Sequence, residues 1–192
     1  MDAASAYEAR AHEFLRGRDR SPIGAGIVEQ WARTFGAGAG IIELGCGGGR
    51  PVTATLHGQG LDLHAIDASP TLVAEFRSRF PGIPVRCERV QESGFFDRTF
   101  EGAIAVGLIF LLSEADQTAL VARVSRILLP GGRFLFSAPL EVGTWTDMNT
   151  GLECRSPGQA RYEEMLRESG SRVVATRSDE GGNNYYEAEK VG

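Results

Sequence analysis

Lysine is almost absent from this chain: it occurs once in 192 residues, at Lys190. Positive charge rests on arginine instead, which reads as compositional bias rather than as a functional signal. No basic run exists, and the formal charge is −5. Dedicated nucleic-acid binders carry a basic stripe, so no nucleic-acid partner is expected. Arg16, Arg18 and Arg20 come closest, diluted by Gly17 and Asp19. They read as a solvated helix end, with part of an anion site as the alternative. Cysteine is scarce too: Cys46, Cys87 and Cys154 are odd in number and lack metal-ligand spacing. Neither a disulfide framework nor a metal site is expected, and a reducing cytoplasm is the natural setting. Long apolar runs are missing. The longest surrounds residues 103–112, far short of the ~20 needed to cross a bilayer, so no membrane partner is expected. Residues 1–10 have no apolar core, so they are not a signal peptide.

Glycine, by contrast, is plentiful, with 25 residues clustered at apparent turns. A helix is expected over 3–14, with Tyr7, Ala11, Phe14 and Leu15 on one face. A second should open at Ser21-Pro22, a capping serine before a first-turn proline. It carries Ile23, Ile27, Trp31 and Phe35. Short apolar runs then alternate with helical segments. Strands are expected at 40–44, 61–66, 83–87, 100–106 and 133–138, and helices between the first two, at 70–80 and at 113–128. Such alternation argues for a parallel sheet with helices on both faces. The tail departs from it: a helix over 156–169, then strands at 172–176 and 185–190 joined by a short turn. That turn permits only antiparallel pairing. The expected fold is α/β, a doubly wound, seven-stranded, mostly parallel sheet with an antiparallel last strand. Residues 1–36 form an N-terminal helical lid and 37–192 the core.

Glu43-Leu44-Gly45-Cys46-Gly47-Gly48-Gly49 lies between the first strand and its helix. Glycines there let the chain turn tightly and let a ligand touch the backbone. Amides at the following helix start favour a negative group. A tight turn without a ligand is the alternative. Asp67, 22 residues after Gly45 at the end of the second strand, weighs against it, because a carboxylate there can accept both ribose hydroxyls of a nucleoside. A nicotinamide dinucleotide fits the same frame, but its fingerprint wants glycine or alanine three residues after the second glycine. Arg50 stands at that place.

Here the chain resembles the class I S-adenosylmethionine (SAM)-dependent methyltransferases. Residues 43–49 resemble their first motif and Ala65-Ile66-Asp67-Ala68-Ser69 their second-strand motif. Phe100-Glu101-Gly102-Ala103-Ile104 is similar to their fourth-strand entry, where aspartate is more usual than Glu101. Leu128-Leu129-Pro130-Gly131-Gly132-Arg133-Phe134 resembles the segment before their fifth strand. The terminal hairpin also fits. The resemblance covers about residues 38 to 190 and implies SAM as cofactor. It places the Gly45 and Gly47 backbone, with Cys46 between them, against the methionyl group, and Glu43 at its ammonium. It puts Asp67 on the ribose, Ala68 beside the adenine, Val90 and Gln91 along the adenine edge, and Val106 and Gly107 beside the transferable methyl.

Candidates for the acceptor side follow from position. The segment after the fourth strand, Val106-Gly107-Leu108-Ile109-Phe110, is apolar and lacks the Asn/Asp-Pro-Pro-Tyr/Phe tetrapeptide of amino methylation in nucleic acids. No Pro-Cys pair suggests a catalytic cysteine. Loops at the carboxyl ends of the strands carry function, which singles out Glu141, Trp145 and Asp147. Trp145 would wall a pocket or simply pack; Asp147 would act as base, bind a cation, or cap a turn. Tyr7 can reach the cofactor from the lid, or serve in packing. His12 is a base or a surface histidine. Of Tyr185 and Tyr186, alternation turns one toward the crevice, and Tyr186 is the choice made here. The expected activity is methyl transfer to oxygen or nitrogen of a small molecule, mainly by alignment, in a monomer or homodimer. A non-catalytic SAM-binding module and an NAD-linked oxidoreductase are the alternatives.

Overall fold

A computed structural model describes residues 2–192; Met1, first residue of the expected lid, lies outside the described residues. Five parallel strands come first: β1 (Gly40–Leu44), β2 (Asp62–Asp67), β3 (Val85–Cys87), β4 (Phe100–Ala105) and β5 (Leu128–Ser137). Two more, β8 (Ser171–Ser178) and β9 (Asn184–Lys190), complete a seven-stranded sheet of order β3-β2-β1-β4-β5-β9-β8. Only β9 runs against the rest, wedged between β5 and β8 with Phe136 opposite Tyr186. The expected sheet is thus present.

Its central strands are buried on both faces, and side-chain alternation divides the core in two. Ile42, Leu44, Phe134 and Phe136 point to the side of α6 (Glu114–Ile127) and α7 (Gln159–Glu168). Ile41, Ala65, Ile104 and Leu135 point to the side of α3 (Ala25–Ala32), α4 (Val52–His57) and α5 (Pro70–Arg79). Serine caps set two helix starts. Ser69 Oγ accepts from the Leu72 amide at 3.1 Å, and Ser113 Oγ from Asp116 at 3.1 Å, which satisfies amides that a helix leaves unpaired.

Four local expectations need correction. The first helix is two: α1 (Ala3–Ala9) and α2 (Ala11–Arg18) meet at Arg10, whose backbone (φ −119°, ψ 17°) is not helical. The next helix, α3, opens after Gly24 rather than at Ser21-Pro22. Gly24 has φ +87°, a left-handed conformation that breaks any helix begun at Pro22. Pro130-Gly131-Gly132 does not precede β5 but lies within it as a register shift, with Leu128 already opposite Phe100. The loop after β5 contains a hairpin, β6 (Val142–Thr146) against β7 (Glu153–Pro157). The helix expected from 156 therefore starts only at Gln159. No described helix is long and apolar enough to cross a membrane.

Candidate functional site

The carboxyl ends of β1, β2, β4 and β5 open into a cavity of about 1020 Å³. That is at the upper end of the ~300–1,000 Å³ usual for ligand sites. The cavity runs from Asp67, Val90 and Gln91 past Gly45, Val106 and Gly107 to Trp145, Glu141 and Asp147. Tyr7, Phe14 and Arg18 of α1 and α2 line it as well.

The glycine loop winds through left-handed backbone at Gly45 (φ +71°), Gly47 (+54°) and Gly49 (+84°). Its glycines also admit α2. A Cβ on Gly47 would stand 3.2 Å from the Phe14 ring, and one on Gly48 would collide with Leu15. The amides of the two cavity-lining glycines are already used within the protein. Gly45 donates to Ile66 O at 2.9 Å and Gly47 to Asp67 Oδ2 at 2.8 Å. The expectation that amides here await a negative group is not met at these two positions.

Asp67, at the end of β2, takes the Gly47 amide on one oxygen and the Ser69 amide on the other, at 2.8 and 2.9 Å. Each oxygen keeps a lone pair toward the cavity. Burial raises its pKa, against the pull of those amides. Ala68 and Leu72 give this end an apolar wall, beside Val90 and Gln91. Across it, Arg89 pairs with Asp2 at 2.8 Å. Helix α1 is fastened over the same end. The Glu8 carboxylate accepts from the Ser69 hydroxyl, from the Thr71 amide at 3.1 Å and from the Thr71 hydroxyl at 2.7 Å. These bonds hold its pKa below the usual carboxylate range.

Two loop residues lie beneath the cavity rather than on it. Glu43 is buried, takes a 2.5 Å hydrogen bond from Thr53 Oγ1 and does not line the cavity. Burial pushes its carboxyl up to about 8, Thr53 opposing. Cys46 is packed into the core on the α3 side. The alternation of β1 and the sharp turn at Gly45 send both side chains inward.

Beyond the loop, Gly107 donates its amide to Ser137 Oγ at 2.8 Å, joining the ends of β4 and β5. Trp145 lies against Phe110, with centroids 5.3 Å apart. Asp147 lines the cavity, but Thr150 Oγ1 (2.5 Å), the Thr150 amide (3.1 Å) and the Asn149 amide (3.3 Å) all donate to its carboxylate. It caps the β6–β7 turn. Glu141 stands exposed at the rim. The Tyr7 ring packs edge-on against Phe14 at 5.3 Å. Burial, then the charge of Asp147, raise its phenol.

Two candidates lie elsewhere. His12 is exposed on the outer face of α2 and is absent from the cavity lining. Tyr186 is fully buried, stacked on Phe136 at 4.9 Å and 8°. Tyr185 takes the cavity-facing position, its hydroxyl donating to Asp179 at 3.0 Å. Alternation was sound, but parity alone does not say which face of β9 meets the cavity. Phe14 and Phe110 also line it without having been singled out as site residues, as does Arg18, raised only as part of an anion site in the alternative. Phe14 and Arg18 are four residues apart, hence on one helix face, which is the signal that finds them.

A family model described as a methyltransferase domain matches residues 41–132. A probable S-adenosylmethionine-dependent methyltransferase of Mycolicibacterium smegmatis is 29% identical over 152 residues, covering 73% of this chain. The chain spans about half of that curated relative, 54% of its length. Among solved structures, the Burkholderia thailandensis 1,6-didemethyltoxoflavin-N1-methyltransferase, with its substrate and S-adenosylhomocysteine bound, has a TM-score of 0.74 at 19% identity, covering 100% of this chain and 92% of its own. An amino pentose methyltransferase of Micromonospora echinaspora, bound to SAM, scores 0.72 at 17% identity, with 94% and 96% covered. These likenesses show that the fold is shared.

Proposed function

We propose that the chain is a class I S-adenosylmethionine-dependent methyltransferase, as its likeness to that family's domain supports, and that it binds SAM and methylates an oxygen or nitrogen of a small molecule. The observation that carries this is the single cavity joining Asp67 to Trp145 past the glycine loop. At about 1020 Å³ it has room for a nucleoside cofactor and a small acceptor, and residues of α1 and α2 line it. Its residues fit the cofactor. The Asp67 carboxylate accepts the two ribose hydroxyls, Ala68, Leu72 and Val90 sandwich an apolar ring, and Gln91 meets its polar edge. Gly45 and Gly47 allow the methionyl chain to lie on backbone.

SAM supplies an already electrophilic methyl carbon. The protein's task is to align the acceptor and exclude water, and alignment is worth on the order of 7–11 kcal/mol in good cases. Val106 and Gly107 form the floor beside the reacting centre, and Phe110, Trp145 and Tyr7 the apolar walls of the acceptor end. The Asp147 oxygens are held by the turn they cap, so Asp147 shapes the wall rather than taking a proton. Glu141, at the rim and without an ion pair among the described residues, is a carboxylate open to a released proton. Within the lid, α1 closes over the cofactor end through Glu8, and Asp2 through its pair with Arg89. Related folds that act on a toxoflavin precursor and an amino pentose support a small acceptor. So does a cavity roofed by two helices, which a folded macromolecule does not enter.

Transfer of labelled methyl from SAM into panels of small amines and phenols, and separately into protein and RNA, tests this reading. Label in small molecules alone is expected; label only in macromolecules contradicts it.

A further inference from the structure

One face of β6 presents a carboxylate, an aromatic ring and a second carboxylate to the cavity. Glu141 just before the strand, Trp145 within it and Asp147 just after it stand at alternate positions, which puts them on one side, and all three line the acceptor end. Gly143, the remaining position of that series, adds no side chain. Asp147 is only 8% exposed, yet it forms no ion pair among the described residues. Every donor it meets is neutral and belongs to its own turn, at Asn149 and Thr150. Two neighbours register its uncompensated charge. Burial, then Asp147, raise the Tyr7 phenol, and burial, then Asp147, push the Cys154 thiol up to about 11. A buried carboxylate without a counter-ion is costly, and a cation entering the cavity can reach this one.

Nothing basic in the protein serves this end. Of the two arginines that line the cavity, Arg89 is paired with Asp2, and Arg18 lies toward Asp179 and Tyr185. Among the described residues, no lysine or histidine lines it, and carboxylates outnumber arginines along the lining by six to two. Glu153, at the rim, is taken up by Arg155 at 2.6 Å, whereas Glu141 has no such partner. The aromatic walls add a separate attraction. Trp145 and Phe110 lie 5.3 Å apart between centroids, with Tyr7 lining the same cavity, and the face of an aromatic ring attracts a cation.

We propose that the acceptor is an amine that enters as an organic cation, its ammonium held by Asp147 and Glu141 and its apolar body by Trp145 and Phe110. This rests on the SAM reading above and narrows its oxygen or nitrogen to nitrogen. The same field disfavours acceptors that carry a carboxylate or phosphate. Before transfer, the ammonium gives one proton to Glu141, which passes it to water at the rim. The freed nitrogen lone pair then takes the methyl carbon as the S–C bond breaks with its electron pair on sulfur, and the product leaves as the methylated ammonium.

The test is calorimetry on wild-type protein saturated with S-adenosylhomocysteine, with three probes of similar shape: phenethylamine, 2-phenylethanol and 3-phenylpropionate. The amine should bind about 10- to 100-fold more tightly than the alcohol, the size of one charge-assisted contact, and the carboxylate most weakly. Asp147→Asn, whose amide oxygen can still cap the turn, and Glu141→Gln should each cut that preference by about 3- to 10-fold and leave S-adenosylhomocysteine binding unchanged. The wild-type series and Glu141→Gln, at an exposed position, stand even if Asp147→Asn folds poorly. Labelled methyl from SAM, offered matched arylalkyl amines and alcohols, should mark the amines alone; label in the alcohols overturns the nitrogen assignment. Equal binding of amine and alcohol, tighter binding of the carboxylate, or no binding of the amine by the loaded protein overturns the proposal and leaves the SAM reading intact. An amine preference untouched by both variants overturns it as well. If S-adenosylhomocysteine itself does not bind, both readings fall.

Discussion

Thr53 donates a 2.5 Å hydrogen bond to the fully buried carboxyl of Glu43, directly beneath the glycine loop. Burial sets the protonation of this first-motif residue, and the Thr53 contact opposes it. With its carboxyl raised from the usual 4.5 to about 8, Glu43 binds a proton more tightly in the folded chain than in the unfolded one. Below pH ~4.5 both states are protonated and the group has no effect. Between about 4.5 and 8 the native state holds the extra proton, so stability falls as pH rises, and it levels off above 8. Glu43→Gln should flatten that slope. Urea titrations of both proteins across this range check it; parallel pH profiles contradict it.

Glu8 holds α1 to the start of α5 through Ser69 and Thr71. A carboxylate at a helix start also meets the favourable end of the helix dipole. Glu8→Gln should raise the dissociation rate of S-adenosylhomocysteine by roughly 3- to 10-fold, with little change in association. Because its carboxyl is depressed, the fastening is complete above the usual carboxylate range. It is lost as pH falls through the lowered folded value. Stopped-flow dissociation at two pH values reads both effects.

Gly48 admits the Leu15 side chain of α2. Gly48→Ala should cost about 1–3 kcal/mol by overpacking, and Leu15→Ala in the same chain should recover part of that. A thermal double-mutant cycle measures the coupling; additive costs would mean that α2 does not rest on the loop.

How much of this was legible beforehand differs by level. The sheet was, because buried parallel strands write continuous apolar runs such as Gly40–Leu44 between clear helix caps at Ser69 and Ser113. Asp67 was legible from its spacing to Gly45. The β6–β7 hairpin was not: Val142–Thr146 is short and mostly exposed, so it carries no alternating apolar signal. Nor was the break at Arg10, since Ala3–Arg18 keeps one apolar face across it. Glu43 and Tyr186 were misplaced for a shared reason. A strand residue's side follows from parity, but only the tertiary structure decides which side faces the cavity. Arg18 was read first as a solvated helix end because the groups around it, Asp179 and Tyr185 among them, are distant in the chain.

The central claim is that this cavity holds an adenosyl cofactor on Asp67. Calorimetric titration of the wild type and of Asp67→Ala with SAM, S-adenosylhomocysteine and NAD tests it most directly. The account predicts micromolar binding of the two adenosyl ligands alone, lost by about tenfold or more in the variant as charge-assisted bonds to the ribose disappear. Binding of NAD instead, or unchanged affinity in Asp67→Ala, would contradict it.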